Sequence, residues 1–555
     1  MEKVARFISL KTSGNSWIGI KFSIFNFQFS IKLIFVILFI AAFLRLYRIQ
    51  DYMTFLGDEG RDVLVVYNIL HGNLTLLGPT ASVGGFFLGP IYYYFMAPFL
   101  WLFDYNPVGP AIMVALFGIA TVWLIYKVGN DFFGYGTGLI AAFLYSISPL
   151  VIAYSRSSWN PNLMPFFSLL TLYILYKAIK ESKIKLFIFC GFLLGIAMQL
   201  HYLSIFLGII IGFYILFIRL KESGPVKAIK DYFYVLLGFL IGWSPFLAFE
   251  VRHDFPNIRS IINFVLRGQE TGGNSQFFTI IENVFFRLFG RLVTNFPPPE
   301  QVSLQAHTPI ALWYYATLVL GIGSVTLLVY KFIKNFKDKD QFQRISLFVI
   351  WLLIGVGLFG FYKKSIYDYY FGFIFPLPFI LVSLTIVSLY TNLPHFVPLS
   401  GTSRGKHEFA RIWLIGKVLA VCIFVGLVWI NLKGVPFRYP ANRQLAQVEE
   451  ISKSVINKTG NKPFNFALIA LGNSDHGYRY FFTLWGKSPI TIENPRKDPE
   501  RKTVAEQLLI VCETLSCQPL GNSLWEVAGF GRAEIIGEWN VSVVKVYKLK
   551  HYTGN

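Results

Sequence analysis

The chain has 555 residues, of which 54% are hydrophobic and only 14% are charged. An ordinary soluble domain carries roughly 25% charged residues, so the composition excludes a soluble globular protein and predicts a polytopic membrane protein. The net charge of +20 does not indicate a nucleic-acid binder. The basic residues form short clusters between apolar runs, which is typical of cytoplasmic loops.

Apolar runs of helical length predict a polytopic α-helical protein with about eleven transmembrane helices. A polar N-terminal segment, residues 1–29, precedes the first helix and is too long for a cleavable signal peptide. The predicted transmembrane domain covers residues 30–431. Its helices are expected near 30–48, 108–127, 137–154, 162–178, 186–200, 202–219, 232–249, 310–330, 345–361, 371–390 and 412–431.

The distribution of lysine and arginine predicts the orientation of these helices. It places the N-terminus in the cytoplasm and two long loops, 49–107 and 251–309, on the outer face. Loop 49–107 contains a single basic residue, Arg61. The run 86–103 is apolar enough to span, but counting it would invert every later loop. We therefore expect it to lie on the outer surface as an interfacial helix.

From about residue 432 the composition changes, which predicts a small extracytoplasmic α/β domain over 432–555. Apolar residues at helical spacing indicate a helix over 442–457. Segments 464–471, 506–513 and 541–549 are typical of strands. Cys512 and Cys517 fall in this domain, where an oxidising exterior permits a disulfide between them. Two free thiols at the end of a strand are the alternative.

The sequence Gly57-Asp58-Glu59-Gly60-Arg61 places two adjacent carboxylates in the first outer loop. Acids are scarce in this chain, and an apolar, tyrosine-rich stretch follows. A carboxylate at an apolar interface has a raised pKa unless it is paired, and such a group suits removal of a proton from an alcohol. A solvated helix end, a cation site and a local ion pair with Arg61 are the alternatives.

Other polar residues face the same side under this topology. Arg156 is either a snorkelling anchor or a phosphate clamp, and His201 is either a helix-end residue or a ligand contact. The remaining candidates are a charge cluster at a membrane edge and a basic pair, with a nearby tyrosine, in an outer loop where basic residues are unexpected. They are Glu250, Arg252 and His253 in the cluster, and Lys363, Lys364 and Tyr367 in the loop.

Signatures of soluble nucleotide and zinc sites are missing from the sequence. The chain has neither Gly-x-Gly-x-x-Gly after a strand nor a Walker motif, and no His/Cys cluster has zinc spacing. An enzyme acting outside the cytoplasm would have no nucleotide sugar or ATP available. An activated donor would therefore have to be carried by a membrane lipid.

Four strings of this chain resemble those of a known family. They are Gly57-Asp58-Glu59-Gly60-Arg61, the stretch 84–94, the stretch 154–161 and Gln199-Leu200-His201-Tyr202. With the first helix and the outer loop, they resemble the GT-C fold glycosyltransferases. The greatest similarity is to family 39, which includes protein O-mannosyltransferases and bacterial aminoarabinose transferases. The resemblance covers about residues 30–430.

The resemblance implies an integral-membrane enzyme that transfers a sugar from polyprenyl phosphate to a glycan, protein or lipid on the outer face of a bacterial plasma membrane. Transfer would invert the anomeric carbon in one step. Asp58 would be the catalytic base and Glu59 its orienting neighbour. No cofactor is expected, although the two acids leave a divalent cation as the less favoured option. The donor phosphate would be held by Arg61, Arg156, His201, Lys363 and Lys364.

One segment departs from the family pattern. Many members carry His-Pro-Pro-Leu-Gly or Lys-Pro-Pro in the second part of the outer loop, whereas this chain has Phe87-Leu88-Gly89-Pro90. The expected basic contact to the donor is missing there and would pass to the other basic candidates.

Two other classes of function remain open at this point. A transporter or flippase of a lipid-linked or small polar substrate would need acids or helix breaks near the midplane, and the predicted spans carry almost no acids. A non-enzymatic scaffold presenting the C-terminal domain would leave the outward polar sites unexplained.

Overall fold

The computed structural model describes residues 32–81, 84–266, 276–305, 307–391, 403–514 and 516–554. The predicted N-terminal segment 1–29 lies outside these residues, and so do 267–275 within the predicted outer loop 251–309. The described chain is mostly helical, with one small sheet near the C-terminus.

Each predicted apolar run falls on helix in the structure. The first is helix 32–46. The other long helices are Val108–Phe133, Tyr135–Ile147, Met164–Glu181, Ile184–Leu200, Ser204–Glu222, Pro225–Gly242, Thr308–Lys334, Lys339–Gly357, Pro376–Thr391 and Ser403–Lys433. Among the described residues, six helices are long and apolar enough to cross a membrane, or up to eight if each bent pair is one span. Fewer helices therefore meet the length and composition criteria for a membrane span than the roughly eleven that the sequence predicted.

Two predicted spans are bent. Pro225–Gly242 and Ser244–Arg252 meet at 71°, and Asp368–Ile374 and Pro376–Thr391 meet at 64°. In each pair a proline follows the break within two residues, at Pro245 and Pro376. Proline removes a backbone donor and is best tolerated in the first turn of a helix, so each of these two prolines lies at the start of a helix that runs in a new direction.

The predicted outer loop 49–107 folds into short helices. They are Ile49–Tyr52, Gly57–Leu70 and Ile91–Leu102. A helix as short as Ile91–Leu102, which has 12 residues, rises about 18 Å at 1.5 Å per residue, and the hydrocarbon core is about 30 Å thick. This part of the run 86–103 is therefore too short to span, and its interfacial location stays a prediction. Further along the chain lie Pro149–Tyr154, Asn160–Leu163, Pro256–Leu266 and Phe277–Gly290.

Residues 444–551 form what we call the C-terminal α/β unit. It has the strands β1 Asn465–Ile469, β2 Gln507–Cys512, β3 Ala533–Val541 and β4 Val544–His551, in the order β1-β2-β4-β3. β1 and β2 are parallel, and the other pairings are antiparallel. All six residues of β2 are buried, as expected for an apolar run in the centre of a sheet. The helices are Gln444–Thr459, His476–Leu484 and Trp525–Phe530.

The sequence predicted the first two strands and the helix over 442–457 closely, but it missed β3. This strand lies at the sheet edge with most of its residues partly or fully exposed, and a bulge between Ile535 and Gly537 interrupts its alternation. Cys512, at the end of β2, is disulfide-bonded to Cys517.

Candidate active site

The helix Gly57–Leu70, called here the Asp58 helix, carries both acids of the motif in its first turn. The Glu59 carboxylate turns back and accepts a hydrogen bond from the Leu56 backbone N–H at 3.1 Å, as in a capping box. The Glu59 residue is buried, whereas the Asp58 side chain is 56% exposed. The two adjacent acids therefore have different surroundings. Glu59 caps the N-terminus of the helix, whereas Asp58 is accessible to solvent.

Arg61 links Asp58 to a second, buried carboxylate. Its Nη1 lies 2.8 Å from Asp58 Oδ1, and its Nη2 lies 2.8 Å from Asp62 Oδ1. Asp62 also accepts a hydrogen bond from the Tyr93 hydroxyl at 3.2 Å. Burial raises the pKa of Asp62 to about 6, although Arg61 acts in the opposite direction. Two carboxylates thus share the positive charge of Arg61, which is the local ion pair considered from the sequence.

Burial also raises the pKa of Glu59, to about 7, against the lowering effect of its backbone hydrogen bonds. A carboxyl with a raised folded-state pKa contributes stability below its unfolded value near 4.5, and this contribution is lost as the pH rises through about 7. We expect Glu59→Gln, which cannot ionise, to reduce the fall in thermal midpoint between pH 5 and pH 8.

Thermal unfolding in detergent at the two pH values measures this effect. The matched control is Glu506→Gln, since the Glu506 side chain is 87% exposed, and it should keep the wild-type pH dependence. An equal fall in midpoint for Glu59→Gln and wild type would contradict the role of Glu59 burial.

A cavity of about 540 Å³ opens beside Asp58. Its wall contains acidic, neutral polar, aromatic and aliphatic groups, and it combines the Asp58 helix with the C-terminal α/β unit. We call it the Asp58 cavity. The lining residues are Thr54, Leu56, Gly57, Asp58, Glu59, Ala153, Tyr154, Ser157, Trp159, Asn162, Gly472, Asn473 and Ser474.

A second cavity, of about 630 Å³, is lined by Arg287 and Lys364 and is called here the Arg287 cavity. Arg287 donates to Asp368 at 2.9 Å and to Glu300 at 2.7 Å. Tyr154 lines this cavity and the Asp58 cavity as well. The two cavities are therefore neighbours that share Tyr154. Asp58 and Glu59 line the first, and the second contains basic groups together with the two carboxylates that pair with Arg287.

A small pocket of about 30 Å³ lies between Asp58, Arg61 and His201. It has room for a water molecule. The Nδ1 atom of His201 accepts the Leu203 N–H at 3.2 Å, and burial lowers the His201 pKa to about 3. The imidazole is therefore neutral and presents an Nε2–H donor.

Arg156 lines none of these three cavities, so they give no support to its interpretation as a phosphate clamp. Its side chain is buried, and Nη1 and Nη2 donate to the backbone oxygens of Leu44 at 2.9 Å and Tyr47 at 2.8 Å. These carbonyls belong to the end of the first helix, where carbonyls have no intrahelical partner. Arg156 therefore caps this helix.

The cluster Glu250, Arg252 and His253 also lies apart from the three cavities. Glu250 is buried and accepts hydrogen bonds from Asn257 Nδ2 at 2.7 Å and from the Ile258 N–H at 2.8 Å. It thereby caps the helix Pro256–Leu266. Arg252 and His253 are exposed. This cluster corresponds to the alternative of an ordinary membrane-edge group.

The two lysines of the predicted outer loop lie in different surroundings. Lys364 and Tyr367 line the Arg287 cavity, whereas Lys363 is exposed and lines none of the three cavities. The segment 87–90, where the basic family contact is missing, is held by a bond from the Phe87 N–H to Asn257 Oδ1 at 2.9 Å.

Arg287 was not among the candidate residues predicted from the sequence. The structure places it in a cavity wall, and both Arg287 and Arg291 contact Asp368, at 2.9 Å and 2.8 Å. Two arginines four residues apart lie on one helical face, and that spacing was the available signal. No comparable sequence pattern marks Trp159 or Asn473, which both line the Asp58 cavity.

Among the described residues, no group of three or more His, Cys, Asp or Glu is arranged to hold a metal ion. At the pair Asp58 and Asp62, the guanidinium of Arg61 already lies between the carboxylates.

Comparison with known proteins gives two kinds of likeness. Residues 88–249 match the family model described as dolichyl-phosphate-mannose-protein mannosyltransferase. Two Bacillus subtilis (strain 168) relatives are named "Putative mannosyltransferase YycA" and "Putative mannosyltransferase YkcB". They are 24% identical over 157 residues and 27% identical over 113 residues. These matches cover 28% and 20% of this chain but only 23% and 16% of the relatives.

The fold is similar to solved structures over nearly the whole chain. ArnT from Cupriavidus metallidurans, bound to undecaprenyl phosphate, has a TM-score of 0.54 at 12% identity, with 94% of this chain and 97% of that chain covered. The oligosaccharyltransferase of Archaeoglobus fulgidus has a TM-score of 0.51 at 12% identity, with 89% and 70% covered. Together, these likenesses show that the chain has the GT-C fold predicted from the sequence.

Proposed function

We propose that this protein is an integral-membrane glycosyltransferase. It transfers a sugar from a polyprenyl-phosphate carrier to a hydroxyl-bearing acceptor on the outer face of the plasma membrane, with its N-terminus cytoplasmic and its C-terminal α/β unit outside. The observation that carries the proposal is the placement of Asp58. Its exposed carboxylate lines a cavity that shares Tyr154 with a second cavity containing Arg287 and Lys364.

The two cavities suggest a division of substrates. The Arg287 cavity suits the donor phosphate, because guanidinium and ammonium groups bind phosphate through charge-assisted hydrogen bonds. The Glu300 side chain, which forms an ion pair with Arg287, is 57% exposed. It can therefore move aside for a phosphate oxygen. The Asp58 cavity suits an uncharged acceptor, because none of the described residues that line it is basic, so its carboxylates would repel a phosphate.

In this arrangement the sugar lies between the cavities, near Tyr154. Asp58 takes the proton of the acceptor hydroxyl as its oxygen attacks the anomeric carbon. The bond from that carbon to the phosphate oxygen breaks, and polyprenyl phosphate leaves with the electron pair. Arg287 and Lys364 stabilise the negative charge on the leaving group. A single displacement of this kind inverts the anomeric centre.

Binding of polyprenyl phosphate by ArnT supports this choice of carrier. Proteoliposomes loaded with polyprenyl-phosphate mannose and supplied with an alcohol acceptor provide the test. We expect release of polyprenyl phosphate that depends on the protein, with the transferred sugar of inverted configuration in the product. Movement of intact donor across the bilayer without cleavage would show a flippase instead and would overturn the proposal.

A further inference from the structure

The loop between β1 and helix His476–Leu484 contacts the start of the Asp58 helix. Asn473 Oδ1 accepts the Gly57 N–H at 2.8 Å and the Ser474 N–H at 2.9 Å. The residue before the helix, Leu56, has no side chain that can cap it. An asparagine 416 positions away in sequence therefore supplies the acceptor that a capping residue normally gives a helix N-terminus.

The other side of the same amide is fixed by Glu513. Asn473 Nδ2 donates to Glu513 Oε1 at 3.0 Å and to Oε2 at 3.1 Å, and the Tyr478 hydroxyl donates to Glu513 Oε1 at 2.7 Å. These partners determine which way the Asn473 amide is turned. Glu513 directly follows β2, next to the disulfide between Cys512 and Cys517.

The two segments approach so closely that only glycine fits between them. A Cβ at Gly57 would collide with Ser474, and a Cβ at Gly60 would collide with the Gly477 backbone. Behind this contact, the rings of Phe55 and Phe481 lie 6.0 Å apart. The glycines on both sides of Asp58-Glu59 therefore allow the C-terminal α/β unit to lie directly on the Asp58 helix.

We propose that Asn473 and Glu513 are positioning residues. They hold the N-terminus of the Asp58 helix, so that the C-terminal α/β unit fixes the direction of the Asp58 carboxylate in its cavity. This inference rests on the proposed function only for its effect on catalysis. The effect on the helix itself is measured without any substrate.

A charge exchange between the two residues tests the proposal. Asn473→Asp keeps the oxygen that accepts the Gly57 N–H but sets a carboxylate against Glu513, and adding Glu513→Gln restores a donor between them. We expect N473D and N473A to speed hydrogen exchange of the amides at 57–60 and to lower kcat for cleavage of polyprenyl-phosphate mannose about tenfold, the size of effect a lost helix cap has on an equilibrium. The donor KM stays unchanged, because neither residue lines the Arg287 cavity.

The double variant N473D/E513Q is expected to recover slow exchange and to come within about threefold of wild-type kcat, the residual being within usual context effects. The matched control is Asn540→Ala, at an exposed residue of β3. It should change neither the hydrogen-exchange rates at 57–60 nor kcat. Wild-type exchange and kcat in N473D and N473A, or no recovery in the double variant, would overturn the proposal. If wild type cleaves no donor but the exchange pattern holds, the proposed function fails and the positioning of the helix stands.

Discussion

Asp58→Asn is expected to lower kcat for cleavage of polyprenyl-phosphate mannose by about 10²–10⁴-fold, the usual contribution of a general base. The amide has nearly the same size as the carboxylate and still offers an oxygen to Arg61, which lies 2.8 Å away, but it cannot accept the proton of an acceptor hydroxyl. The donor KM should change little, because Asp58 does not line the Arg287 cavity. Initial rates in proteoliposomes at saturating donor measure the effect.

Asp51→Asn is the matched control for this variant. Asp51 forms an exposed ion pair with Arg48 at 2.7 Å, three residues away as Arg61 is from Asp58, but it lines none of the three cavities. It should retain wild-type kcat. Equal activity of D58N and D51N would show that Asp58 is a solvated helix-end acid, which is the structural alternative that the sequence left open.

The second large effect is expected at Arg287. Replacing it by glutamine removes the guanidinium from the proposed phosphate site, and a hydrogen bond to a charged group contributes about 1.5–3 kcal/mol. We therefore expect the donor KM, and the Kd for polyprenyl phosphate, to rise about 10- to 150-fold. Arg287→Lys should give a smaller loss, because lysine keeps the charge but cannot bind in the same forked geometry.

Lys363→Gln serves as the control for Arg287, since it removes a positive charge near the Arg287 cavity from a side chain that does not line it. Its donor KM should equal that of wild type. Because Arg287 also holds Asp368 and Glu300, thermal unfolding must show that R287Q is folded. A folded R287Q with a wild-type donor KM would place the phosphate elsewhere.

The sequence predicted the helices well because their signal is local. A continuous apolar run must hide its backbone polar groups in a helix when it lies in lipid, so each predicted run falls on helix. Apart from the helix in the run 86–103, the short helices were not predicted, and neither were the bends, because both depend on packing as well as composition. Pro376, for example, starts a new helix inside the predicted span 371–390.

The sequence predicted only those residues of the candidate site that lie next to each other in one segment. Asp58 and Glu59 stand out in a loop that is poor in charge. In the structure Glu59 is buried and Asp58 is exposed, a difference that no local sequence pattern encodes. Arg156 has the residue type of a phosphate ligand, but its partners are the carbonyls of Leu44 and Tyr47, more than one hundred residues earlier. Asn473 reaches the site by an even longer path, so its contact to Gly57 follows only from the tertiary fold.

A structure of the protein with polyprenyl phosphate bound would test the central claim most directly. We expect the phosphate in the Arg287 cavity, within hydrogen-bonding distance of Arg287 Nη2 and Lys364 Nζ, with Glu300 displaced. The phosphate should face Tyr154, leaving room for one sugar between it and the Asp58 carboxylate. A phosphate bound outside this cavity, with no path for a sugar to reach Asp58, would contradict the account.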